Sequence, residues 1–473
     1  MERVERASSR AVLPRVVPRR AVAPQRRRCD GLGIGRRLEV EGSLSTVLCR
    51  GGYSLPEGGR AGEGKRLEVG EDENGAYRRA VNKSWRRLIL WSRVKQGETE
   101  RVNDRLEEEI TKVCVFGAGS FGTAIATVLA KKYGQAKVYV VVRNEEQCES
   151  MNAKHRNPRY LTDYVLPGNV VATLDPREAL EGCQYVVHAI PVQASTGFLE
   201  KVKGLVPKSV PVISVSKGLE VGTGLTMHQV LQRALGEDQP LVALSGPSFA
   251  KEVMEGLPTN LVAASEDENY ARSVQAVFAS PTLRVNTTRD VVGVEIVGAL
   301  KNVVAIAAGI VDGLGLGNNA LSALVAQGTA EIRWLAVRMG GEASTVTGVA
   351  GVGDIMLTSF VNLSRNRTVG VRLGRGESLQ EILSSMTQVA EGVKTAEVVI
   401  ALAKKYNLIL PVLTAVAQVV DGQLDAKEAV DTVMLFPQIE DVDEGYDFFK
   451  ESEPSTTRRA SSSCEQTSEL TGV

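Results

Sequence analysis

Along residues 298 to 313, GALKNVVAIAAGIVDG, small and apolar side chains recur at the i, i+3, i+4, i+7 spacing of a buried helix face, and Lys301 and Asn302 interrupt them. Val297 and Gly298 behind Lys301, with Val304, Ala305 and Ala308 ahead, place it on the apolar stripe rather than a solvated one. Burying an ammonium is costly unless it is paired or put to use, so this lysine calls for a partner or a substrate.

Upstream the period is that of strands. KVCVFGAGSFGTAIATVLAKK opens with a β-branched strand, Lys112 to Phe116, turns on Gly117, Gly119 and Gly122, and continues as a helix. AKVYVVV (136 to 142) follows at the spacing of one βαβ unit. Further strands read at Tyr185 to Ile190, Val210 to Val215, Leu241 to Leu244, Asn260 to Ala263 and Leu283 to Asn286. Their alternation with helical segments predicts an α/β Rossmann-type doubly wound sheet. After residue 289 strand signals stop, and Ala/Val/Leu-rich stretches predict an all-α C-terminal domain. The expected organisation is a targeting peptide and disordered spacer (1–79), a helical extension (80–110), an NAD(P)-binding domain (111–288), a helical substrate domain (289–445) and a disordered tail (446–473).

The glycine pattern carries chemistry because of where it lies, between a strand and a helix. Gly117 permits the tight turn, Gly119 lets a pyrophosphate approach the backbone, and Gly122 lets the helix lie on its strand. The phosphates would rest on helix N-terminal amides. After the second strand stands Arg143 rather than the acid that bonds a ribose 2′-hydroxyl, which leaves NAD, NADP or both open. SVSKGLE carries Lys217, and SGPSFA carries Gly246, Ser248 and Ala250, each after a strand. In the helical half, Gly351 and Gly353 precede Asp354, and Ser364, Arg365, Asn366 and Arg367 form a donor cluster suited to a phosphate. QVAEGV places Glu391 beside a glycine, within reach of a nucleotide.

Composition narrows the classes. The 473-residue chain sets 56 basic against 56 acidic residues, so bulk charge gives no case for nucleic acid or a membrane surface. Its six cysteines show neither metal-ligand spacing nor disulfide-scaffold density, and no metal is expected. The longest apolar run is broken by Lys301 and Asp312, so no membrane span is expected. Of three histidines, His155 and His228 lack a nearby carboxylate and read as packing or surface residues, while His188 is a candidate for lining a nicotinamide pocket. The first 37 residues are arginine-rich, without lysine and poor in acids, as in a targeting peptide; a basic nucleic-acid arm would interleave aromatics. Residues 80 to 93, AVNKSWRRLILWSR, read as an amphipathic helix that either packs or stays loose.

GAGSFGTA, SGPSFA, GVEIVGALKNVVAIAAGIVDG, GDIMLT and NLSRNRTVG, in this order over residues 112 to 442, resemble the NAD(P)-dependent glycerol-3-phosphate dehydrogenases that reduce dihydroxyacetone phosphate. The leader resembles that of the plant plastid-type form, which supplies glycerol 3-phosphate for glycerolipid synthesis. The resemblance implies Lys301 as general acid/base and Lys217 as a second substrate lysine, with Asn302, Asp354 and Thr358 orienting Lys301 and substrate. It implies Ser364, Arg365 and Asn366 on the phosphate, Gly246 and Ser248 lining the substrate pocket, and Ser120, Phe121, Arg143, Lys217, Ala250, Arg365, Val389 and Glu391 at the nucleotide. It also implies a homodimer and a chloroplast stromal location, with mitochondrion or cytosol as alternatives. The rival readings are another β-hydroxyacid dehydrogenase, whose carboxylate substrate needs fewer donors than 364 to 367 provide, and a noncatalytic nucleotide sensor.

Overall fold

The computed structural model describes residues 78, 80–90, 92, 105, 106, 108–386 and 388–435. The leader, the spacer and the tail expected from the sequence lie outside these. The chain divides into the units Met1–Arg79 and Ala80–Val473, and both the sheet and the helical half belong to the second. Residues 80–90 are helical as expected, with Trp85, Leu88 and Leu90 exposed.

Eight strands, β1 (Lys112–Phe116), β2 (Lys137–Val141), β3 (Val170–Thr173), β4 (Tyr185–His188), β5 (Val212–Ser214), β6 (Leu241–Ser245), β7 (Thr259–Ala264) and β8 (Leu283–Thr288), form one sheet in the order β3-β2-β1-β4-β5-β6-β7-β8. Every pairing is parallel except β6 with β7. The sheet is therefore doubly wound, with one reversed step near its far edge. β3 was not among the expected strands, yet Val170 pairs with Val138. Strand interiors are dominated by buried Val, Leu and Ala, as a sheet covered on both faces requires.

After β8 all described elements are helical. The organising one, Val291–Gly313, is capped by Asp290, whose carboxylate accepts from Gly293 N at 2.8 Å. By length and composition this 23-residue helix could cross a membrane, but 94% of its most apolar window is buried within the protein. Around it packs the core of the helical half, including Leu335, Val399 and Leu413. Its closest neighbour is Arg365–Gly374, and the crossing is made by glycines. A Cβ at Gly309 would strike Arg367 O and stand 2.7 Å from Val371 N, and one at Gly370 would strike Ile306 O. The two backbones touch. That contact brings the start of Arg365–Gly374 beside Lys301 and Asn302.

Candidate active site

The first glycine loop has the geometry that its spacing requires. Gly117 has φ +98°, and a Cβ there would stand 2.9 Å from Ala189 O; one at Gly122 would strike Gly117 O. At Gly119 nothing lies within 4 Å of an added Cβ, so the loop faces open space at the start of the helix Ser120–Lys132. Phe121 and Ala250 stand at the starts of two helices that pack together, Ser120–Lys132 and Ala250–Glu255. Arg143 is exposed beyond the end of β2.

Lys301 has its partner. Its ammonium donates to Asp354 Oδ1 and to Thr358 Oγ1, each at 2.7 Å. The other carboxylate oxygen, Oδ2, accepts from Lys217 at 2.7 Å, and Lys217 also donates to Gly246 O at 2.9 Å. Asp354 opens the helix Asp354–Phe360 directly after the π-helical turn Val349–Gly353, an irregularity that aims its carboxylate between the two lysines. Burial pushes Asp354 up, but Lys217 and Lys301 together outweigh it and hold the carboxyl below its usual value. Burial lowers Lys301 to about 8, helped by Lys217 and opposed by Asp354. Two ammonium groups sharing one carboxylate leave net positive charge where screening is weak, a setting that stabilises a developing alkoxide.

The donor cluster divides. Ser364 caps the helix Arg365–Gly374 by accepting from Arg367 N, and Asn366 Nδ2 donates to Asn302 Oδ1 at 2.9 Å. Arg365 is exposed and donates to Val389 O at 3.0 Å, tying the cluster to the loop that carries Val389 and Glu391. Arg367, placed among the phosphate donors from the sequence, is buried and braces the fold by donating to Ser359 O and Asn362 Oδ1 and pairing with Asp312. Its neighbours alternate around a helix, so only some can face one ligand. Asn302 likewise bonds Asn366 instead of orienting Lys301, which Asp354 and Thr358 do.

Glu391 begins the helix Glu391–Tyr406; burial raises its carboxyl to about 7, with Arg365 pulling the other way. Its Oε2 is buried without a hydrogen-bond partner, a group that a bound polar ligand would satisfy. Gly392 lets this turn approach, since a Cβ there would stand 2.7 Å from Asn302 O. Ser120 Oγ donates to Gln388 Oε1 at 3.2 Å, linking the glycine loop to the helical half. The sequence reading missed Gln388, whose only signal was its place beside Val389. With the open space at Gly119, these groups fit a dinucleotide: Gly117 to Phe121 would hold its phosphates, and Glu391 and Val389 its far end.

One histidine reading changes, and a second histidine gains a carboxylate neighbour through its backbone alone. His188 ends β4 fully buried, and burial lowers it to about 4, so it is a neutral core residue. His228 does have a carboxylate neighbour: its backbone N donates to both oxygens of Glu295, at 2.9 and 3.0 Å. Ser248 Oγ donates to Gly246 O. Among the described residues no cluster of His, Cys, Asp or Glu could hold a metal, and Cys114, Cys148 and Cys183 are free thiols whose pKa burial raises.

A Rossmann sheet with an open glycine loop, joined to a helical domain that offers a buried lysine–aspartate–lysine array, defines a dinucleotide-dependent oxidoreductase. The chain matches the family model for the N-terminus of NAD-dependent glycerol-3-phosphate dehydrogenase over residues 112–271 and that for the C-terminus over residues 290–431. It is 54% identical over 370 residues to a chloroplastic NAD(+) glycerol-3-phosphate dehydrogenase of Arabidopsis thaliana, covering 78% of this chain and 87% of that one. It is 44% identical over 322 residues to the NAD(P)+ glycerol-3-phosphate dehydrogenase of Myxococcus xanthus, 68% of this chain and 96% of the relative. The crystal structure of glycerol-3-phosphate dehydrogenase from Coxiella burnetii superposes with a TM-score of 0.66 at 35% identity, over 69% of this chain and 99% of that one. The chain belongs to the NAD-dependent glycerol-3-phosphate dehydrogenase family.

Proposed function

We propose that this enzyme reversibly reduces dihydroxyacetone phosphate to sn-glycerol 3-phosphate with NADH or NADPH. The observation that carries the reading is the Lys301–Asp354–Lys217 array beside the donors Ser364, Arg365 and Asn366. Arg365 and Asn366, with the amides at the helix start, would bind the phosphate of the substrate and so fix its carbonyl near Lys301; alignment of this kind supplies several kcal/mol of a barrier. The nicotinamide, when bound, supplies hydride to the carbonyl carbon. Lys301 gives its proton to the carbonyl oxygen, and the charges of Lys301 and Lys217 stabilise that oxygen as it becomes an alkoxide. Gly246 and Ser248 would line the substrate, while Ser120, Phe121, Arg143, Ala250, Val389 and Glu391 would contact the nucleotide.

The chloroplastic name of the plant relative and the arginine-rich leader support a plastid stromal enzyme supplying glycerolipid synthesis, and the family resemblance is the ground for a homodimer. The test is absorbance loss at the nicotinamide band with purified residues 80–473, dihydroxyacetone phosphate, and NADH or NADPH in parallel. Turnover that vanishes in Lys301→Ala is expected, and the preferred cofactor reports what Arg143 does. Protein that binds NADH yet shows no turnover with either cofactor would overturn the substrate reading. A fluorescent fusion of residues 1–110 tests the location.

A further inference from the structure

A crevice between the ends of β5 and β6 and the helix Val291–Gly313 adjoins the active-site array and is lined by Ser214, Ser216, Lys217, Ser245, Glu295 and Gly298. Its volume is about 10 Å³, room for about one water. Ser214 Oγ and Ser245 Oγ are enclosed there without hydrogen-bond partners. The next strand adds His188 Nε2, also unpartnered, in register with Ser214 and with its Nδ1 3.4 Å from Ser216 Oγ. Buried polar groups are rarely left unmatched, so unmet hydroxyls in a polar crevice mark the place of ordered water. Gly298 keeps the space open: a Cβ would stand 3.2 Å from Ser245 Oγ and 3.7 Å from Lys217 Cγ. Glu295, one helical turn earlier, is half-buried and has no ion-pair partner among the described residues.

The reaction creates a need that this arrangement meets. Each reduction strips a proton from Lys301, which is 7% exposed and whose ammonium is held by Asp354 and Thr358 with Lys217 beside it. We propose that Lys301 is recharged by Lys217, which is itself recharged from a crevice water that Glu295 supplies with protons from solvent. The proton balance is simple. The Lys217 ammonium, held beside Lys301 on the shared Asp354 carboxylate, gives a proton to the Lys301 amine, and the carboxylate stays charged throughout. Neutral Lys217 then takes a proton from the crevice water, the water takes one from the Glu295 carboxyl, and Glu295 reloads from solvent. One proton enters per hydride transferred. Burial raises Glu295 to about 7, against the Thr226 hydroxyl and His228 N–H, so near neutrality it both holds and releases a proton. The other charged or titratable groups around it are Lys217 after β5, His188 on β4, and His228 with Glu266 beyond it.

This inference rests on Lys301 being the acid. Its test is Glu295→Gln, which keeps the side-chain size and an acceptor for His228 N. Steady-state reduction of dihydroxyacetone phosphate is measured in H2O and D2O, with and without imidazole as a diffusible proton donor. The expected result is kcat lowered about tenfold, KM values unchanged, a larger solvent isotope effect on kcat, and recovery of rate with imidazole that the parent enzyme does not show. Should Glu295→Gln fail to fold, Ser245→Ala, which removes one partner of the water, is read for the same isotope effect and imidazole response. Unchanged kcat, or a loss that imidazole does not restore with the isotope effect of the parent, would reduce Glu295 to a cap on the helix Met227–Leu235. Turnover persisting in Lys301→Ala would instead remove the acid assignment itself, so the two failures are distinct.

Discussion

Lys301 and Asp354, 53 positions apart in the chain, meet at 2.7 Å with both side chains almost wholly enclosed. Removing one partner of such a pair leaves an uncompensated buried charge, and here it leaves two, because Lys217 shares the same carboxylate. Asp354→Asn keeps the volume and one acceptor but removes the charge. Expected is a fall in kcat/KM for dihydroxyacetone phosphate of about 10²- to 10³-fold with NADH affinity retained, read by steady-state kinetics and NADH titration. A variant within a fewfold of the parent would mean that the array is structural.

The lowered Lys301 fixes the sign of the pH dependence. Reduction needs the ammonium, so its kcat falls as pH rises through about 8, while oxidation of glycerol 3-phosphate needs the amine and climbs through the same range. Opposite slopes in the two directions are the signature to look for; parallel slopes would assign the titration to another group. Stability follows the same shift. Between about 8 and the ordinary value of 10.5 the unfolded chain binds more protons at this site than the folded one, so the contribution of Lys301 to stability improves with rising pH across that window.

Arg365 joins the donor cluster at Ser364 and Asn366 to the loop that carries Val389 and Glu391 through its bond to Val389 O. Arg365→Ala is expected to lower kcat/KM for dihydroxyacetone phosphate by about 10²-fold and to weaken NADH binding much less. Equal losses in both would place the arginine at the nucleotide alone, and an unchanged kcat/KM would remove it from the site.

The glycine crossing can be tested without touching any polar group. Gly309→Val places carbon against Arg367 O and Val371 N, and neither backbone group can move without parting the two helices. A loss of about 3 kcal/mol in unfolding free energy is expected by denaturant titration, the upper end of overpacking costs. Folded protein recovered at low temperature should also show a raised KM for dihydroxyacetone phosphate, since Arg365 and Asn366 ride on the displaced helix. A stability change below about 0.5 kcal/mol, within the range of surface substitutions, would show that the contact yields.

Much of this was legible in the sequence because the signals are local. A glycine spacing reports a turn, and Gly117, Gly119 and Gly122 behave as their spacing implies: Gly122 lies against Gly117 O, Gly119 is open, and only the crowding of Gly117 by Ala189 comes from beyond the first βαβ unit. The other seven strands were read from their β-branched and apolar runs, and β3 was missed although it is no shorter than β4 or β5. Arg367 was misread because adjacency in the chain cannot tell which helix face a side chain occupies.

The sequence alone determined that a parallel-type sheet precedes a helical half, that the glycine loop suits a dinucleotide, and that Lys301 lies on a buried stripe in need of a partner. The family resemblance named Asp354 beside Lys301, but only the tertiary structure decided that Asp354 and Thr358 hold its ammonium while Asn302 does not, that Lys217 joins the same carboxylate from 137 positions away in the sheet half, and that Gln388 links the two halves. The physical reason is that periodicity records whether a face is buried but not against what. The choice of partner depends on how closely two helices cross, and at Gly309 and Gly370 that distance is set by side chains that are not there.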